Sequence, residues 1–127
     1  MKKLRRWSWH DPVYDVRVFL LRGPGALALK WINRTFHEGE DYQGEFHGAK
    51  TIFVTGPRGT AVTIWVPWWW SVTNSRHLAV LAHETTHAAI YVLGERGVVL
   101  SKDSEEAFTY WQAWMFEQCH LRLKVKS

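Results

Sequence analysis

The sequence predicts an α+β domain, and three observations carry that prediction. Near the start "VYDVRVFLL" alternates in character, in the middle "TIFVT" and "TAVTIWV" flank "GPRG", and the C-terminal part has two long stretches of helical period. In the first stretch Val16, Val18 and Leu20 share one side and Asp15 and Arg17 the other, the period of a half-buried strand. "RGPG" stops it. From Ala26 to about His37, Leu29, Ile32 and Phe36 recur at helical spacing, and the polar stretch "HEGEDYQGEFHGAK" follows as a surface loop.

The central pair reads as a hairpin with a four-residue connection, and Pro67 should end its second strand or keep it at a sheet edge, since proline has no amide hydrogen to donate. Ser71, Thr73, Asn74 and Ser75 offer caps for a helix running to Gly94. A final helix begins near "SKDSEEA" and continues through "FTYWQAWMFEQCHL". The expected order is strand, helix, hairpin, helix, helix: one small antiparallel or mixed sheet with helices packed on it.

The 127 residues make one ordinary domain, 1–127, large enough to bury a core without disulfides. A single cysteine, Cys119, excludes an internal bridge and fits a reducing, cytoplasmic setting. Beside His120 it reads as a buried thiol rather than a nucleophile. The basic N-terminus lacks the apolar stretch of a secretion signal, and "AVTIWVPWWW" is too short to span a bilayer, so a soluble protein with no membrane partner is expected. The net charge of +4 gathers at "KKLRR" and "RLKVK", which is weak evidence for a nucleic-acid or anionic-membrane partner and reads better as solvated ends, so no nucleic-acid partner is expected. Nine tryptophans are unusual in so small a chain. The run Trp68, Trp69, Trp70 is expected to form a lid on the core, a hydrophobic wall of a cleft or a docking patch for a partner protein, because three successive residues cannot all point inward.

The chemistry concentrates in "LAVLAHETTHAAIYVLG". On a helix His83 and His87 lie on one face a turn apart and can aim ring nitrogens at one point, a spacing that suits zinc. Glu84, rotated by about 100°, stands beside such a metal, where a general base for a water nucleophile belongs. With 7 histidines in the chain the pattern can arise by chance, but its apolar surroundings argue otherwise: two imidazoles and a carboxylate in a buried helix need partners. Ile90 and Leu93 stand where the HExxHxxGxxH continuation needs glycine and histidine, so a third ligand has to come from elsewhere. "SKDSEEAFTYW" supplies Glu105 and Glu106, which also suit a helix start. We prefer Glu106, on a face with Tyr110 and Ala113, over Glu105, on a face with Phe108 and Gln112. His10, His37 and His47 show no ligand spacing.

"HETTH", a short connection and a helix opening "EEAFTYW" resemble the gluzincin branch of zincin metallopeptidases, and more narrowly the short metallopeptidases encoded by bacteriophages. The resemblance is specific over residues 77 to 114. It implies a minimal zincin-like domain that hydrolyses peptide or protein substrates, with a central HExxH helix, a C-terminal glutamate-bearing helix, Zn2+ held by His83, His87 and Glu106, and Glu84 as base. It further implies that "AVTIWV" is the edge strand beside the cleft. Tyr110, with Tyr91 and His77 as alternatives, is the candidate oxyanion donor. The competing expectation is a binding or assembly protein on the same fold, its metal mainly structural and its tryptophan surface holding a partner. For a peptidase with so few residues outside the core, substrate specificity is expected to rest on a partner protein or on the loop from Glu38 to Lys50.

Overall fold

A computed structural model describes residues 2–36 and 48–125. The order is β1 (Arg5–Asp11), β2 (Val16–Arg22), α1 (Gly25–Thr35), β3 (Lys50–Gly56), β4 (Gly59–Val66), α2 (Ser75–Glu95) and α3 (Glu105–Leu123). The expected α+β class holds, as a four-stranded mixed sheet with three helices. His37, His47 and most of the loop from Glu38 lie outside the described residues.

β1 is an element the sequence reading passed over. In "RRWSWHD" the two tryptophans alternate with Arg6, Ser8 and His10, so Trp7 and Trp9 turn towards the core while the polar residues face out. β1 pairs antiparallel with β2, setting Trp7 opposite Leu20 and Trp9 opposite Val18. The turn between them is held by Asp11, whose carboxylate accepts from the Val13 amide at 2.9 Å, and it closes through Asp15 at a φ of 52°.

The sheet order is β1-β2-β4-β3, with β2 and β4 parallel and β3 antiparallel to β4. Two hairpins are therefore joined along a central parallel seam. β4 is paired on both sides and buried along nearly all its length, which corrects the expectation that it is the edge strand. Its run of apolar residues is what burial on both faces demands. β3 is the edge instead, and Pro67 falls one residue beyond β4, where it costs the ladder nothing. The expected four-residue connection tightens to Pro57 and Arg58, with Gly56 and Gly59 paired as strand ends and Gly59 at a φ of 98°.

The sheet is covered on both faces. Val16, Val18 and Leu20 of β2 join Val62, Ile64 and Val66 of β4 beneath α2 and α3, which contribute Leu81, Ala88, Val92, Trp111 and Met115. On the other face Leu21, Ile52 and Trp65 meet Ala28 and Ile32 of α1, and Phe19, Trp31 and Phe36 pack edge to face. α2 is capped by Asn74, whose side chain accepts from the Arg76 and His77 amides. At its far end Arg96 donates to the Tyr14 and Asp15 carbonyls and to the Thr60 hydroxyl, pinning the helix to the strand ends. α3 buries Phe108, Trp111, Met115, Cys119 and Leu123, and Trp111 donates its indole hydrogen to Asp11 at 2.8 Å. Among the described residues no helix is long and apolar enough to cross a membrane.

Candidate metal centre

α2 crosses the sheet beside β3, and the period of two along β3 meets the period of the helix at three points. Thr51 bonds Glu84, Phe53 packs on Tyr91 and Thr55 bonds Glu95. This register places the "HETTH" turn against the β3 side of the sheet, an edge among the described residues.

Within that turn the Nε2 atoms of His83 and His87 lie 3.0 Å apart, and their ligand atoms and a Glu84 carboxylate oxygen all fall within 4.8 Å of one another. Two histidine nitrogens on one tetrahedral zinc stand about 3.3 Å apart, so the pair is close to the spacing that ion needs. His83 is exposed and His87 half-buried, which leaves an approach from solvent. Glu84 is 7% exposed. The Thr51 hydroxyl lies 2.9 Å from its carboxylate and 3.0 Å from its backbone carbonyl, a bifurcated contact that fixes the side chain. The two threonines of the motif turn their hydroxyls back onto the Ala82 carbonyl, and Thr85 also accepts from Gln112 of α3 at 3.0 Å. His87 stacks on Tyr91, with ring planes 18° apart.

The structure does not bring Glu105 or Glu106 into the group. Both open α3 as exposed residues, and among the described residues the metal-capable cluster contains His83, Glu84 and His87. α3 meets α2 through Thr85, which is two positions from either histidine and so about 200° around the helix from both. Glu106 sits a further six residues, about 9 Å, along α3 from Gln112. Tyr110 is 73% exposed on that same helix and is likewise outside the site. Of the three candidate oxyanion donors only Tyr91 borders the histidines. His77 is engaged elsewhere, accepting from the Ser71 amide and packing against Trp69 and Trp70.

Thr51 is the site residue that sequence reasoning missed, since a threonine in a strand carries no signal until the helix above it is known. Cys119 is fully buried beneath α3, and burial pushes its thiol up to about 12, well outside the range of a nucleophile. The described residues suit a metal ion in donor type and spacing: two convergent imidazoles and an adjacent carboxylate. No known protein family, characterised protein or solved structure matches the chain.

Proposed function

We propose that this chain is a small zinc-dependent metallopeptidase. The observation that carries the reading is the convergence of the His83 and His87 Nε2 atoms beside a buried, tethered Glu84. His83 and His87 would hold the ion. A bound zinc supplies Lewis acidity to the scissile carbonyl and makes a water nucleophilic near neutral pH.

The chain's own residues do the rest. Glu84 accepts the proton of the attacking water and passes it to the leaving amine, and Thr51 holds the carboxylate in the orientation this needs. An extended peptide adds to the outer edge of β3 through main-chain hydrogen bonds, which carries it past the "HETTH" turn. Tyr91, whose ring lies against His87, is the phenol among the described residues that would donate to the carbonyl oxygen. A chain with one buried cysteine suits a reducing compartment such as the cytoplasm.

The exposure of Trp68 and Trp69 favours a second reading, in which the fold binds a partner and the metal is structural. A peptide library incubated with zinc-loaded wild type and Glu84→Gln separates the two. Cleavage by wild type alone supports the peptidase. Bound metal without cleavage by either protein overturns it in favour of the binding role.

A further inference from the structure

The two basic ends of the chain, far apart in sequence, meet in space. A concavity of about 770 Å³ is lined by Lys2, Lys3, Arg5, Arg22 and Lys124, and no carboxylate lines it among the described residues. Gly23 makes the meeting possible: a Cβ there would lie 2.8 Å from the Lys3 carbonyl and 2.9 Å from the Leu4 Cα. Arg5 then reaches across to the Val125 carbonyl at 3.3 Å.

Arg5 and Arg22 are direct cross-strand partners in the β1–β2 ladder, an arrangement that like charges make unfavourable. Among the described residues Arg22 donates to neutral acceptors, the Trp68, Trp70 and Leu123 carbonyls, the Trp70 bond being the shortest at 2.7 Å. Its burial and the facing Arg5 pull its pKa below the usual guanidinium value. Among the described residues the positive charge gathered here has no counter-charge within the groove. Over the same groove stand Trp68 and Trp69, 46% and 51% exposed, with the Lys2 ammonium 4.3 Å from the Trp68 ring centroid.

An acidic peptide would neutralise the cations and leave the indoles uncovered. A duplex would keep its bases stacked away from them. A single strand presents phosphates and unstacked bases in alternation, and bases of any identity stack on indole rings. We propose that this groove binds single-stranded nucleic acid, with phosphates on Lys2, Lys3, Arg5 and Lys124 and bases on Trp68 and Trp69. The site is separate from the histidine pair and does not depend on the peptidase reading.

The test is fluorescence anisotropy of a labelled oligothymidine of about 12 nucleotides, titrated with the full chain over a series of salt concentrations. Binding is expected to weaken with salt at a log–log slope of about −2 to −3, as four neutralised phosphates require. Lys2→Ala with Lys124→Ala, both at exposed positions, should reduce that slope by about 1.4. Trp68→Ala with Trp69→Ala should weaken binding about tenfold or more at an unchanged slope, while the paired Phe variants keep most of it. Absence of binding at low salt would overturn the proposal. So would equal competition by inorganic polyphosphate, an acidic peptide or a duplex of the same charge, or an affinity indifferent to the tryptophans.

Discussion

Thr51 and Glu84 tie the edge of the sheet to the centre of the helix: the threonine hydroxyl on β3 sits 2.9 Å from the carboxylate on α2. Replacing Thr51 by valine keeps the shape and removes the donor, leaving a buried carboxylate short of a partner. We expect a loss of about 1–3 kcal/mol in urea unfolding and a fall in kcat with little change in KM. Thr51→Ser should restore both. A valine variant with wild-type stability and turnover would show that the tether is idle.

Metal content separates the histidines from the glutamates of α3. Elemental analysis after zinc loading and gel filtration should find about one ion per chain in wild type and Glu84→Gln, and none in His83→Ala or His87→Ala. Glu105→Ala and Glu106→Ala should retain it, because their helix packs on the opposite side of α2. Loss of zinc in Glu106→Ala would mean that α3 shifts to complete the site.

Cys119 should resist thiol reagents in the native protein. Its folded pKa of about 12 lies above the ordinary thiol value, so the neutral form is stabilised and the contribution to stability is complete below about pH 8. As pH rises from there towards 12 that contribution is lost. Labelling by a maleimide at pH 8 should therefore follow global unfolding in urea, and rapid labelling without denaturant would contradict the burial.

The buried bond from Trp111 to Asp11 joins α3 to the β1–β2 turn. Trp111→Phe keeps an aromatic ring and deletes the donor, at an expected cost of about 1.5–3 kcal/mol for a bond to a charged acceptor. Chemical denaturation checks it. A smaller loss would indicate that the Val13 amide and solvent suffice for the carboxylate.

The α2 motif was legible because its chemistry is local: His83, Glu84 and His87 need only helical spacing to converge. Glu106 and Tyr110 needed something sequence spacing lacks, namely the face on which α3 docks. β1 went unread because Lys2, Lys3, Arg5 and Arg6 have the composition of a solvated tail, and the alternation of Trp7 and Trp9 acquires meaning only beside β2. The edge strand was misjudged on the zincin resemblance; Pro67 does end β4, and the unbroken apolar run before it already marked that strand as central. The joining of the two basic ends had no signal in the sequence, since it depends on Gly23 and on where α3 finishes.

The parallel seam between β2 and β4 also governs how the chain finds its structure. Each hairpin closes from near neighbours, on a scale of about 1–10 μs. The seam pairs Val18 with Val62 across the whole intervening segment and must bear its loop-closure entropy before any packing compensates. Docking of two preformed hairpins is then the slow event. Val62→Ala should slow refolding in stopped-flow experiments, whereas Val54→Ala, on the outer strand, should chiefly hasten unfolding.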